Sequence, residues 1–170
     1  MDRGLVHLYS GAGKGKTTAA MGLALRAIGR GKTVMIVQFL KDGTSGELEP
    51  LRTLGAAVLA GPPGTKFVSR MSEAELRETR DWNDQNMRQA IEADCDLLIL
   101  DELCAARRHD LVDVDLASAA VLDRPRSREV VITGRDPEPW MLEAADYSTE
   151  MVCHRHPFRQ GIAAREGIEY

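Results

Sequence analysis

Apolar residues along this chain gather in short, nearly continuous runs separated by longer stretches with helical spacing. Leu5-Val6-His7-Leu8-Tyr9, Thr33 to Phe39, Asp96 to Leu100 and Glu129 to Ile132 are such runs, and their density fits strands covered on both faces. A weaker strand is expected near Ala57-Val58-Leu59 and a last one over Tyr147 to Cys153. Thr17 to Ile28 puts Ala20, Ala24, Ala27 and Ile28 on one helical face and is stopped by Gly29-Arg30-Gly31. Leu51-Arg52-Thr53-Leu54 reads as a short helix. Ser72-Glu73-Ala74-Glu75 has the reciprocal capping pattern that opens a long helix to about Ala93, with Trp82, Met87, Ala90 and Ile91 among its apolar positions. Val112 to Leu122 is a further helix, and Asp136-Pro137 is expected to start another with proline in its first turn.

Strands alternating with helices place the chain in the α/β class, as a three-layer sandwich with a mainly parallel central sheet. The first two strands and the helix between them form a βαβ unit with an expected right-handed crossover. Gly61-Pro62-Pro63-Gly64 is the strongest breaker, so Thr65 to Met71 is expected to cross the surface as an exposed segment.

With 170 residues and 44% hydrophobic content, the chain has material for one sizeable core, hence a single domain over residues 1–170. A formal charge of -4 offers no net attraction for nucleic acid or an anionic membrane, and neither is expected as a partner. Cys95, Cys104 and Cys153 stand too far apart for a redox or zinc-finger spacing. Met1-Asp2-Arg3-Gly4 leads straight into the first strand without a signal pattern, which predicts a cytoplasmic protein.

Ser10-Gly11-Ala12-Gly13-Lys14-Gly15-Lys16-Thr17 joins the first strand to the first helix. Such a turn aims backbone N–H groups at one point, where the helix dipole also favours an anion, and phosphate is the natural occupant. Lys16 adds a positive charge, and the hydroxyl of Thr17 is placed to ligate Mg²⁺. The strict pattern wants glycine where Ser10 stands, but Gly11, Gly13 and Gly15 leave ample backbone freedom. These residues predict a P-loop that binds ATP.

Leu97-Leu98-Ile99-Leu100-Asp101-Glu102 is an apolar strand delivering two carboxylates at its C-terminal end, the edge where open α/β sheets bind ligands. Asp101 and Glu102 are candidate metal ligands, directly or through water, and Glu102 is also a candidate catalytic group with Lys16. The competing reading of such a pair is a helix N-cap. Thr133-Gly134-Arg135 ends the next strand at the same edge, making Arg135 either a phosphate contact or an ordinary surface arginine. His154-Arg155-His156 is likewise either a ligand contact or structural. No nucleophilic triad is assignable from spacing. A base such as Glu102 leaves a small P-loop kinase or ATPase open as an alternative.

Taken together, these residues resemble the P-loop ATP:corrinoid adenosyltransferases, bacterial enzymes that make the coenzyme form of vitamin B12. The resemblance runs over nearly the whole chain from Gly4. It includes 11–18, Arg26, Val37-Gln38-Phe39, Gly46-Glu47-Leu48-Glu49-Pro50, Leu100-Asp101-Glu102 and Ile132-Thr133-Gly134-Arg135. The tail His156-Pro157-Phe158, Gly161, Ala164 and Gly167-Ile168-Glu169-Tyr170 is its most diagnostic part. It implies a RecA-like P-loop fold and transfer of the 5′-deoxyadenosyl group of ATP to cobalt(I) of a corrinoid, with release of triphosphate, in adenosylcobalamin biosynthesis or salvage. The substrate supplies the nucleophile, which accounts for the missing triad.

By resemblance, Gly11, Ala12, Gly13, Lys14, Gly15, Lys16, Thr17, Thr18, Arg26 and Arg135 contact the nucleotide, and Phe67 borders the corrinoid. A homodimer and a flavoprotein reductant are the implied protein partners. Longer members carry an N-terminal extension that closes over the corrinoid, whereas few residues precede the first strand here, so such a lid is expected to be missing or supplied by a partner subunit. Related sequences place tryptophan two positions beyond the phenylalanine matching Phe67, where this chain has Ser69. These departures keep a second alternative open, an ATP-dependent corrinoid-binding protein without turnover.

Overall fold

The computed structural model describes residues 3–169. Six strands, β1 (Val6–Ser10), β2 (Val34–Gln38), β3 (Ala57–Ala60), β4 (Leu97–Asp101), β5 (Glu129–Gly134) and β6 (Tyr147–Glu150), form one sheet in the order β3-β2-β4-β5-β1-β6. Every neighbouring pair is parallel. β1 and β2 are therefore not adjacent, because β4 and β5 are inserted between them. The phosphate-loop strand and the carboxylate strand β4 flank β5, and all three end at one edge.

Six helices cover the sheet: α1 (Lys16–Ile28), α2 (Leu48–Thr53), α3 (Glu73–Glu92), α4 (Leu103–Arg108), α5 (Val114–Leu122) and α6 (Pro139–Ala144). Alternation along the strands sorts the core into two halves. Ile36, Leu97, Ile99 and Val131 point to one face, against Ala20, Met21 and Ala24 of α1 and Leu48 and Leu51 of α2. Val37, Leu98, Leu100, Val130 and Ile132 point to the other, against Met87 and Ala90 of α3, Leu103 and Cys104 of α4, and Ala117 and Val121 of α5. Three layers result, with both faces of the central strands dry and the edge strand β6 exposed. No helix of the described residues is long and apolar enough to cross a membrane.

The capping box forms as the sequence predicts, Ser72 Oγ accepting from the N–H of Glu75 while the Glu75 carboxylate accepts from the N–H of Ser72. Other boundaries differ for visible reasons. Asp136 is not an N-cap: it sits at φ 51, and the last helix begins at Pro139 with Glu138 as its cap. The helix expected from Val112 starts at Val114, where Asp113 caps the N–H groups of Asp115 and Leu116. β6 ends at Glu150 instead of reaching Cys153, because its partner β1 ends at Ser10 and Met151 then crosses the phosphate loop. Trp82 is 41% exposed, held at the surface by an Nε1–H bond to the Ala60 carbonyl.

Candidate active site

Ser10 is the last residue of β1, paired in register with Gly134 and Glu150. It lies before the turn, so the position does not need glycine. Gly11 at φ 103 and Gly15 at φ 119 do occupy the left-handed region. The tail also crowds this loop: a Cβ on Gly11 or Gly13 would lie 2.6 Å from the Met151 carbonyl oxygen. That same oxygen accepts from the N–H of Gly13 at 2.6 Å. α1 opens on Gly15 with no side-chain cap and no acidic residue in its first turn. Its first N–H groups and positive dipole end are thus left for an anion.

Lys16 is 7% exposed and donates from Nζ to the Gly13 carbonyl at 2.8 Å, curling back over the loop. Burial lowers its pKa, and the Arg135 guanidinium pushes the same way, while Glu102 and Asp101 oppose them. Asp101 is wholly buried and accepts four bonds. Thr17 and Thr133 donate to Oδ1 at 2.8 and 2.7 Å; Gln38 and Lys41 donate to Oδ2 at 3.1 Å each. Since Thr17 gives its hydrogen to Asp101, the lone pairs of its hydroxyl remain for another partner.

Glu102 follows at φ 63, its N–H donating to Thr133 Oγ1 at 2.9 Å. It precedes α4 but makes no side-chain cap bond, so the N-cap reading of this carboxylate does not hold. Its side chain accepts no hydrogen bond among the described residues and lines the cavity. Its pKa is raised, by burial first and by the neighbouring Asp101, with Lys41, Lys16 and Arg135 pulling it down.

These groups share one cavity of about 1440 Å³. That exceeds the roughly 300–1,000 Å³ of an ordinary small-molecule site and leaves room for two ligands. Ala12, Gly13, Lys14, Gly15, Lys16, Thr17 and Thr18 line one end, joined by Glu102 and Arg135. Thr65, Lys66, Phe67 and Arg70 line another part, with Phe67 77% exposed and the Arg70 guanidinium 6.0 Å from its ring centre. Leu40, Lys41, Asp42, Thr44 and Ser45, with Gly46, Glu47 and Pro50, supply a further wall.

Two residues expected at the nucleotide stand apart from this lining. Gly11 packs under the tail instead of facing the cavity. Arg26 lies in the last turn of α1, exposed, about 15 Å along the helix from Lys16. Its charge is felt by Tyr9, outside the cavity. Of the histidine pair, His156 lines the cavity and its Nδ1 accepts from the N–H of Phe158 at 3.2 Å, whereas His154 is exposed.

Several contributors escaped sequence reasoning. Lys41 is one, and the polar residue ending an apolar run at Gln38 was its only nearby signal. The contact made by the tail is another: the resemblance marks Gly167, Ile168 and Glu169 without giving them a role, and here they line the cavity, with Lys14 Nζ donating to the Ile168 carbonyl at 3.0 Å.

No group of three or more His, Cys, Asp or Glu side chains suited to a metal occurs among the described residues. A preformed all-protein cage is therefore absent there, but Mg²⁺ takes only one or two protein ligands and completes its shell with water and phosphate oxygens. The open hydroxyl of Thr17 and the unpartnered carboxylate of Glu102 are hard oxygen donors that fit this need.

Comparison with known proteins agrees with the geometry. A family model described as ATP:corrinoid adenosyltransferase BtuR/CobO/CobP matches residues 2–170. The chain is 36% identical over 172 residues to a corrinoid adenosyltransferase of Pseudomonas aeruginosa, an alignment covering 99% of this chain and 85% of that protein. It is 34% identical over 171 residues to a corrinoid adenosyltransferase of Escherichia coli, covering 99% and 87%. Corrinoid adenosyltransferase CobA of Salmonella typhimurium matches at 34% over 171 residues, again covering 99% and 87%. With a phosphate loop and a carboxylate strand opening on one large cavity at the sheet edge, and with relatives matched along nearly its full length, the chain belongs to the ATP:corrinoid adenosyltransferase family.

Proposed function

We propose that this chain transfers the 5′-deoxyadenosyl group of ATP to the cobalt(I) of a corrinoid, the reaction for which its family is named, and releases inorganic triphosphate. The observation that carries this reading is the composite cavity, with an uncapped helix start and Lys16 at one end and the exposed ring of Phe67 on another wall. One end suits a triphosphate; the exposed ring of Phe67, with Leu40, Pro50, Leu51 and Leu54 in the same lining, suits a flat macrocycle. As a family member the chain is a transferase.

The electron pair of cobalt(I) forms the cobalt–carbon bond, the bond from C5′ to the triphosphate oxygen breaks, and the triphosphate leaves with the electron pair of that broken bond. The protein supplies no nucleophile. Its tasks are alignment and stabilisation of charge on the leaving group. Lys16 exchanges the Gly13 carbonyl for phosphate oxygens, and the N–H groups of Ala12 and of Lys14 to Thr18 receive the rest, that of Gly13 being held by the Met151 carbonyl. Arg135 adds charge at the same end. Phe67 packs on the corrinoid and excludes water. Thr17 and Glu102 would hold Mg²⁺, with Asp101 orienting Thr17 from behind; when bound, the ion would neutralise triphosphate charge. The sheet and its helices act as a single domain, in a homodimer served by a flavoprotein reductant, in the cytoplasm.

The test is anaerobic incubation with Mg-ATP and chemically reduced cob(I)alamin, following the corrinoid spectrum. A light-sensitive alkylcobalamin that forms only when ATP, enzyme and cob(I)alamin are all present supports the reading. Binding of both ligands without spectral conversion would leave a corrinoid-binding protein in its place.

A further inference from the structure

Gln38 is 0% exposed at the end of an apolar strand, where a leucine would gain burial energy and leave no amide to satisfy. Both ends of its amide are engaged. Nε2 donates to Oδ2 of Asp101 at 3.1 Å, and Oε1 accepts from Ser45 Oγ at 3.2 Å. The sheet register sets the first bond, since Gln38 lies opposite Asp101 across β2 and β4. The second leads into the cavity wall, to which Ser45 belongs.

Lys41 already brings a positive charge to the same Asp101 oxygen. Charge compensation therefore does not by itself require Gln38. What the amide adds is direction: with Oδ2 fixed by Gln38, Oδ1 faces Thr17 and Thr133, and the Thr17 hydroxyl keeps its lone pairs turned away from Asp101. The chain Ser45, Gln38, Asp101, Thr17 is continuous and crosses from the wall loop to the first turn of α1.

We propose that Gln38 is a positioning residue that couples the wall loop Lys41–Gly46 to the cation site at Thr17 by fixing the Asp101 carboxylate. The inference rests on the reading of Thr17 as a metal ligand. Asp101, one bond removed from Thr17, is the kind of partner whose loss changes metal affinity by about 10–100-fold, and the loss of Gln38, one bond further out, is expected at the low end of that range.

The probe is Mn²⁺, titrated by electron paramagnetic resonance against protein and ATP without corrinoid, so that binding is read without turnover. Thr17→Ala should lose the ATP-dependent Mn²⁺ site. Gln38→Met, close in volume and unable to donate, should weaken Mn²⁺ about 10-fold. Ser45→Ala, which removes just the outer bond, should weaken Mn²⁺ about threefold. Wild-type affinity in folded Gln38→Met, with Thr17→Ala defective, overturns the role of Gln38 alone. Wild-type affinity in Thr17→Ala overturns the metal-site reading and this inference with it. Should Gln38→Met fail to fold, unchanged affinity in Ser45→Ala overturns the proposal.

Discussion

The ammonium of Lys14 donates to the main-chain carbonyl of Ile168 at 3.0 Å, joining the phosphate loop to a tail in which no residue from 154 to 169 is buried. The turn that presents this carbonyl is closed by Arg165, which donates to the Glu169 carboxylate from its guanidinium at 3.2 and 3.1 Å and from its main-chain N–H at 2.9 Å. The arginine holds the Glu169 carboxyl down at about 2, so the pair stays ionised across the working pH range. Arg165→Ala should raise the KM for ATP several-fold. Its melting temperature should stay within about 2 °C of wild type, as exposed substitutions rarely move stability by more than ~0.5 kcal/mol. An unchanged ATP saturation curve would remove the tail turn from the nucleotide site.

Lys16 contributes charge to the cavity and packs little of the apolar core. Lys16→Ala is expected to lower ATP-dependent turnover about 100-fold or more, the scale of losing a cation or donor aimed at developing charge. Its circular dichroism should remain that of the wild type. Near-wild-type turnover would sink the phosphate-loop assignment.

Glu102 carries a pH dependence with a definite sign. Burial and Asp101 raise its pKa in the folded protein, so the folded state binds more protons there than the unfolded state. Its contribution is most favourable below the ordinary carboxylate pKa and is lost as pH rises through the raised value. Glu102→Gln should therefore raise the melting temperature of the ligand-free protein at pH 7.5. Near pH 4 the two proteins should melt together, and the Mg²⁺-dependent stabilisation by ATP should be weaker in the variant. A variant less stable than wild type at pH 7.5 would contradict this account of the carboxylate.

Much of this was legible in the chain because its signals were local. The capping box at Ser72, the apolar density of β4 and the glycines around Lys16 each act through neighbours a few residues away. α4 was not anticipated: Leu103–Arg108 is a single short helix, and its preceding Glu102 sits at φ 63 without a side-chain cap bond, so no capping signal marks it. Asp136-Pro137 carried a helix-start signal, but a backbone at φ 51 postponed the helix to Pro139. Lys14 with Ile168, and Gln38 with Ser45 and Asp101, are products of strand order and chain path, which periodicity does not encode. Arg26 shows the converse, a family mark that the fold sets at the far end of α1 from the phosphate loop.

Ser69 lies exposed in the 3₁₀ turn Val68–Arg70, two residues from the ring of Phe67. Cobalt(II) is hard to reduce while an axial ligand holds it, and apolar bulk near the metal displaces that ligand. Serine adds little such bulk, and tryptophan brings a large rigid surface. Ser69→Trp should raise the rate with cobalt(II) corrinoid and a mild flavin-type reductant much more than the rate with cob(I). Equal changes in both rates, measured anaerobically on both proteins, would show that position 69 does not govern the cobalt environment.

The central claim, adenosyl transfer with loss of an intact triphosphate, is tested most directly by phosphorus NMR of the anaerobic reaction with Mg-ATP and cob(I)alamin. The account predicts one inorganic triphosphate for each cobalt–carbon bond formed, and no triphosphate when the corrinoid is omitted. ADP or orthophosphate as the primary product, with no triphosphate beside the alkylated corrinoid, would contradict it and identify the chain as a P-loop kinase or ATPase.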